Sequence, residues 1–212
     1  MPSRPKRDLT VDEIVDRAIE ITGTDGGESS LTMRALASAC GVTPMALYRH
    51  VDDKETLLTL IVDRVVGDAI ADFGRSNLPW MADLIEFGCR YRAALLGHRV
   101  AAEVFLRRPV LSPNMARITE MTFEALQRAG FQGDAIAATG DAATLVLMGS
   151  VANDLSRPPH VRFELLDHLP DAARPVLTDQ ADAYSRRDGE QRFREAAEAM
   201  LTGYCTRYGV EP

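Results

Sequence analysis

Leu31-Thr32-Met33-Arg34-Ala35-Leu36-Ala37-Ser38-Ala39-Cys40-Gly41-Val42-Thr43-Pro44-Met45-Ala46-Leu47-Tyr48-Arg49-His50-Val51 is the stretch on which the fold turns. It reads as two short helices meeting at one glycine, the first from near Thr32 to Gly41 and the second over 44–50. Thr43 offers a hydroxyl to cap the second helix, and Pro44 occupies its first turn, where a missing N–H costs nothing. Leu36, Cys40, Val42, Leu47 and Val51 fall on an inner side. Thr32, Arg34, Thr43, Pro44, Met45, Tyr48, Arg49 and His50 are left outward. Such a pair can place its second helix in a DNA major groove with N-terminal residues toward the base edges, while the first helix crosses the backbone. The Arg34 fork suits guanine O6 and N7, and Pro44, Met45 and Ala46 suit a thymine methyl. Tyr48, His50 and Lys54 suit phosphates, which fix register without encoding sequence. An ordinary helical hairpin in a core domain is the competing reading.

Outward from this stretch, every segment reads as helix. Thr10-Val11-Asp12-Glu13 has the form of a capping box, and apolar residues follow at helical spacing, so a first helix is expected over 10–23. Turn chemistry from Gly23 to Ser30 separates it from the motif. Asp52-Asp53-Lys54-Glu55 caps a long fourth helix with one stripe of Leu57, Leu58, Ile61, Val62, Val65, Val66, Ala69 and Ile70. Residues 73–79 break the pattern, and helices are expected near 80–96, 99–107 and 113–129, punctuated by Gly97, Pro109, Pro113 and Gly130. Residues 133–154 are apolar on most faces, as in a helix buried in a bundle or a subunit interface. Residues 156–188, with four prolines from Pro158 to Pro175, read as a long connection, and Phe193, Ala196, Ala197, Met200, Leu201 and Tyr204 mark a last amphipathic helix. The fold class is all-α: a three-helix helix-turn-helix domain over 1–54 with a basic arm of Arg4, Lys6 and Arg7, then a larger helical domain over 55–212.

Composition narrows the function. The 212 residues are 46% hydrophobic and carry a net charge of -7, so any nucleic-acid contact is local rather than spread over a basic surface. The first residues lack the apolar stretch of a secretory signal, and the most apolar window, 142–152, is shorter than the roughly 20 residues of a bilayer span. A cytoplasmic protein without a membrane partner is expected. Cys40, Cys89 and Cys205 are scattered and odd in number, which indicates free thiols rather than a disulfide framework or zinc site. His160 and His168 lack metal-site spacing, so no metal and no cofactor is expected. Neither a phosphate cradle, a nucleophile elbow, H-E-x-x-H nor a paired-carboxylate site is present, and no enzyme is expected.

The Leu47-Tyr48-x-His50-Val51-x-x-Lys54 run, followed by a long amphipathic helix, resembles the tetracycline-repressor (TetR) family of one-component regulators. Similarity to the tetracycline repressors continues through Trp80, His98-Arg99, Arg108-Pro109, Gly130-Phe131, Gly149 and Gly203. The resemblance implies a homodimer that represses from a palindromic DNA operator and is released by a small-molecule inducer. It also implies that late helices near 133–154 and 191–207 form a four-helix subunit contact. By the same resemblance the guanine-reading arginine falls on Arg34, and the phosphate-binding tyrosine, histidine and lysine fall on Tyr48, His50 and Lys54. The family's recognition-helix Glu-Gln-Pro-Thr falls on Thr43-Pro44-Met45-Ala46, so a different operator is implied.

The drug site departs further. The magnesium-ligating histidine of the tetracycline repressors falls on Phe105, which offers a hard cation no ligand atom. Their drug-binding histidine and asparagine fall on Ile70 and Phe87, and a carboxylate near the metal falls on Asn153, while Tyr91 keeps an aromatic contact. These replacements imply a mainly apolar inducer and no magnesium–tetracycline response. Ile70, Phe87, Tyr91, Phe105, Leu145 and Met148 are the candidate lining, with Asn153 as polar anchor. The alternative is a ligand-independent repressor whose C-terminal domain only dimerises.

Overall fold

The computed structural model describes residues 9–70, 78–156, 180 and 186–212. The described residues form helices and turns, with no strand among them. Two compact units result: Met1–Asp68 with Gly97–Ala116, and Ala69–Leu96 with Arg117–Pro212. The first unit gathers more than the helix-turn-helix, because nearly all of the helix Lys54–Ala69 and the whole helix Arg99–Arg107 cluster with it.

In the first unit, α1 spans Val11–Thr22 and starts at a complete capping box. The Thr10 hydroxyl accepts from Glu13 N at 3.2 Å while the Glu13 carboxylate accepts from Thr10 N at 3.1 Å. Two donors that a helix start leaves free are thereby satisfied. A single 3-10 turn, Glu28–Ser30, leads into α2, Met33–Ala39, capped by the Thr32 hydroxyl. α2 ends at Gly41 with φ +69°, where Gly41 N donates to Ser38 O at 3.1 Å and Val42 N to Ala37 O at 2.9 Å. This pair of bonds is a Schellman motif, which requires a left-handed residue at the turn. Helix α3 covers Pro44–Leu47 only, shorter than the expected 44–50. Its continuation tightens to three-residue spacing, with Arg49 N donating to Ala46 O at 3.3 Å and His50 N to Leu47 O at 3.0 Å. α4 is Lys54–Ala69 and buries the leucine, isoleucine and valine stripe. α6, Arg99–Arg107, packs against the 3-10 turn, and the His98 carbonyl accepts from Ala101 N and Ala102 N at its start.

The second unit holds α5 (Trp80–Gly97), most of α7 (Pro113–Ala129), α8 (Asp134–Ser156) and α9 (Gly189–Tyr208). Phe131 is fully buried and meets Trp80 and Tyr208 edge-on, at 6.0 and 6.3 Å between ring centroids. α8 packs along α9. Only Ala135, Thr139, Gly140, Leu147 and Val151 of α8 are buried, although the helix is apolar throughout much of its length. Its 23 residues include an 18-residue window of mean hydropathy 1.5, enough by length and composition to cross a membrane. That corrects the reading from 142–152, because alanine, glycine and threonine outside that run extend the apolar helix. A helix packed within a unit or at a subunit contact meets the same measure, and α8 has such a neighbour in α9. The expected connection over 156–188, with His160 and His168, lies mostly outside the described residues, as do 71–77 and the basic arm.

Candidate functional site

The helix-turn-helix presents one outward face. Thr32, Arg34, Thr43, Pro44, Met45, Tyr48 and His50 are all exposed, and Leu36, Ala37, Leu47 and Val51 are buried behind them. Met45 is 71% exposed and Tyr48 44%, so two large side chains that normally seek partners stand in solvent on α3 and its end. Thr32 and Thr43 spend their hydroxyls as caps, accepting from Ala35 N at 3.1 Å and Ala46 N at 3.3 Å. Cys40 and Val42 are only half-buried.

Lys54 has a partner within the chain. It is half-buried, and its ammonium donates to the Glu28 carbonyl at 2.9 Å. One of its three donors ties the 3-10 turn to α4, leaving two for an outside acceptor. Further polar ties, not anticipated from sequence, fix α4 in the same unit. Arg108 donates to Glu55 O at 3.0 Å and to the Thr59 hydroxyl at 2.9 Å. Glu103 accepts from Glu28 N at 2.8 Å, and Arg107 pairs with Glu28 at 2.9 Å. Arg64 of α4 reaches back to Asp12 and Asp16 of α1 at 2.6 and 2.7 Å. Asn114, in the first turn of α7, clasps Asp63: its N and Nδ2 donate to the carboxylate at 2.8 and 3.1 Å, and Nδ2 to the backbone carbonyl at 3.0 Å. The Asp53 carboxyl is held below its usual range by the Thr56 backbone N–H that it caps at the start of α4.

The second unit contains a cavity of about 80 Å³ between α5, α7, α8 and α9. Leu84, Ile85, Phe87, Gly88 and Tyr91 supply one wall, and Ile118 and Thr122 of α7 another. Gly140, Ala143, Thr144, Val146 and Leu147 of α8 face Phe193, Ala197, Met200 and Leu201 of α9. Phe87 and Tyr91, with ring centroids 6.1 Å apart, are the two sequence candidates that line it. The other candidates lie elsewhere. Ile70 is buried outside the lining, Phe105 is buried on α6 in the first unit, and Met148 is half-buried. Leu145 is 70% exposed, on the side of α8 opposite the lining residues. The Asn153 amide donates to Asp154 at 3.1 Å. Helix phase explains the split: Gly140, Ala143, Thr144 and Leu147 recur at helical spacing on one side, and Leu145 and Met148 fall off that stripe. The α7 and α9 walls carry no motif; on α9 the amphipathic face read from sequence supplies Phe193, Ala197, Met200 and Leu201.

The lining is uncharged. Burial pushes the Tyr91 hydroxyl above its usual value, so it remains a neutral donor near pH 7. Burial likewise pushes the neighbouring Cys89 thiol up to about 11. Beyond the lining, α5, α8 and α9 share an ionic cluster. Arg92 pairs with Asp154 and donates to the Ser150 hydroxyl at 2.8 Å, and Arg192 reaches the other Asp154 oxygen at 3.2 Å. Arg194 bridges Glu86 at 2.7 Å and Glu190 at 2.8 Å, and the Arg194 hydrogen bond holds the Glu86 carboxyl below its usual range. Among the described residues no group of three or more His, Cys, Asp or Glu is placed to hold a metal ion.

Two family patterns match the chain. One, described as bacterial regulatory proteins of the tetR family, covers residues 24–61, and the other, the tetracyclin repressor-like C-terminal domain, covers 74–208. An HTH-type transcriptional regulator of Saccharopolyspora erythraea is 32% identical over 99% of this chain and 90% of its own length. The class E tetracycline repressor protein of Escherichia coli is 24% identical over 94% and 92%. Among solved structures, the TetR family protein ActR of Streptomyces coelicolor, in complex with actinorhodin, superposes with a TM-score of 0.81. It is 26% identical, covering 96% of this chain and 98% of ActR.

Proposed function

This chain belongs to the TetR family of transcriptional regulators, and on that premise we propose that it is a homodimeric repressor of a palindromic operator, released by a mainly apolar small molecule. The observation that carries the reading is the solvent-facing Met45 and Tyr48 on a capped two-helix frame, since exposed large side chains on such a frame are suited to a groove. Arg34 reads guanine, Thr43, Pro44 and Met45 face the remaining base edges, and Thr32, Tyr48, His50 and the free donors of Lys54 hold phosphates. A mobility-shift titration of the full chain against DNA from its own promoter tests this. Affinity that is steeply salt-dependent but equal for unrelated DNA would refute sequence-specific binding.

Dimerisation through α8 and α9 is supported by the unburied apolar side of α8. Leu145 and Gly149 on α8, and Thr202 and Gly203 on α9, face outward. A second copy covering these residues removes from water an apolar helix that one chain leaves open.

The inducer site is the α5–α7–α8–α9 cavity, with Phe87 and Tyr91 as aromatic contacts and Thr122, Thr144 and the Tyr91 hydroxyl as polar ones. ActR, similar at 26% identity, holds actinorhodin in a solved structure, which supports small-molecule control here. A cavity of about 80 Å³ is smaller than the roughly 150 Å³ that accepts benzene, so a larger ligand must move its walls. α7 is the element that carries such a movement, because one unbroken helix bears Ile118 and Thr122 at the cavity and Asn114 on Asp63 of α4. Displacement of α4 alters the separation of two reading heads that must match half-sites about 34–36 Å apart. Thermal-shift screening with apolar compounds, followed by release from operator DNA, tests the scheme. The small volume of the cavity also favours a ligand-independent repressor with a purely dimerising C-terminal domain, and failure of every compound to stabilise the protein would decide for it.

A further inference from the structure

We propose that Glu103 of α6 is a positioning residue for operator recognition: its carboxylate caps the 3-10 turn at Glu28 and so sets where α2, which carries Arg34, begins. The proposal rests on the helix-turn-helix reading an operator. Its first support is a missing local cap. The first N–H groups of a helical turn lack an internal partner, and Gly27, the residue before this turn, has no side chain to supply one. The acceptor comes instead from 75 residues away, where Glu103 Oε2 takes the Glu28 N–H at 2.8 Å. Arg99, one turn earlier on α6, holds the other carboxylate oxygen at 2.8 Å, so the cap arrives already aimed. Glycine at 27 leaves the room for it, since a Cβ there would stand 2.7 and 2.8 Å from the two carboxylate oxygens.

The grip is wider than one bond. Arg99, Glu103 and Arg107 recur every fourth residue and share one stripe of α6. Arg99 N donates to Thr24 O at 3.1 Å, Glu103 meets Gly27 and Glu28, and Arg107 pairs with the Glu28 carboxylate at 2.9 Å. The connection between α1 and α2 is thus held along α6 at Thr24 and again at Glu28. From Glu28 two ties lead to the reading head. Its carbonyl accepts from Leu31 N at 3.2 Å and from the Lys54 ammonium at 2.9 Å. Leu31 is fully buried, and the next residue, Thr32, caps α2, whose first turn carries Arg34. A shift of the 3-10 turn therefore moves the Arg34 guanidinium. A bidentate contact to guanine depends on exact placement, whereas the attraction of basic side chains to phosphates is undirected. Glu103 therefore governs preference for the operator and leaves affinity for unrelated DNA nearly unchanged.

Gly27→Ala gives the sharpest test. The Gly27 backbone, at φ -79° and ψ 179°, suits alanine, and the atoms nearest the added methyl are those of the Glu103 carboxylate. The methyl therefore pushes the end of that flexible side chain off Glu28. Fluorescence-anisotropy titration of the full chain on DNA from its own promoter and on unrelated DNA, below the melting temperature of each variant, reads the effect. Glu103→Ala and Gly27→Ala should each weaken promoter binding by about tenfold, as when the competent arrangement falls to about one-tenth of the population. Binding to unrelated DNA should change by less than about twofold. Glu103→Gln, which keeps an acceptor for Glu28 N, should restore most of the preference. In the Glu103→Ala background Gly27→Ala should add nothing, since the carboxylate it displaces is gone. A preference for promoter DNA that survives Glu103→Ala, equal losses on both DNAs, or full additivity of the two substitutions would overturn the positioning role while leaving the operator reading in place. A parent chain without preference for promoter DNA removes the operator reading and the role together.

Discussion

Replacing Gly41 by alanine isolates the turn that joins the two motif helices. At φ +69° an L-residue with a Cβ crowds its own carbonyl, which costs about 1–2 kcal/mol. No atom lies within 4 Å of where that Cβ would go, so packing adds nothing to the penalty. The alternative for the chain is to leave the left-handed region and give up two hydrogen bonds, Gly41 N to Ser38 O and Val42 N to Ala37 O. Each is worth about 0.5–1.5 kcal/mol, so abandoning the turn is no cheaper than straining it. Gly41→Ala should therefore keep the motif and lose about 1–2 kcal/mol of stability, seen as a lower Tm by roughly 2–8 °C for a chain of this size. Gly41→Asn, whose side chain tolerates the left-handed region, should lose less. Thermal denaturation by circular dichroism measures both, and a mobility-shift assay below the transition checks that operator binding survives. An alanine variant as stable as the parent would refute the argument from backbone strain.

Arg34→Ala should weaken operator binding by about 1–3 kcal/mol and relax preference at one guanine, with Tm unchanged because the side chain is exposed; equal loss on every sequence would reduce Arg34 to a phosphate contact. Leu145→Glu sets a charge on the open side of α8, and sedimentation should show monomers that fold but bind the operator weakly; a persistent dimer places the subunit contact elsewhere. Asn114→Ala removes both amide hydrogen bonds to Asp63, about 0.5–1.5 kcal/mol each, and should blunt ligand-induced release more than operator affinity, as measured by titrating inducer into the protein–DNA complex. Glu86 and Asp53 have carboxyls lowered in the folded chain by the Arg194 hydrogen bond and the Thr56 N–H respectively. Their stabilisation is complete above the unfolded carboxyl value and is lost as pH falls through the lowered one, so Glu86→Gln should flatten the acid limb of a Tm-against-pH curve.

The parts of the molecule that were legible beforehand share a short range. The capping box at Thr10 and Glu13, the Thr43–Pro44 start of α3 and the Gly41 stop all act within a few residues, and each appears where its local chemistry requires. The outward face of the motif was legible for the same reason, since helix periodicity alone separates Leu36 and Leu47 from Arg34 and Met45. α3 ended early because its last turn tightens to three-residue bonds, a choice between geometries of similar energy that composition does not encode.

The cavity shows where such reading stops. Phe87 and Tyr91 were recognisable as aromatic positions on α5, but Thr122, Phe193 and Met200 join them from helices far along the chain, and nothing local marks that meeting. Leu145 looked like its neighbours in composition, yet a rotation about the α8 axis sends it to solvent while Leu147 goes inward. The motif of Lys54 points to phosphate, and nothing local marks the Glu28 carbonyl that its ammonium meets in the folded chain. By itself the sequence determined the helices, their caps and which residues of the helix-turn-helix face outward, because those depend on hydrogen bonds and periodicities a few residues long. Which helices enclose a cavity, and which arginines share Asp154, was decided by tertiary packing, because side chains distant in sequence become neighbours only when whole helices settle against one another.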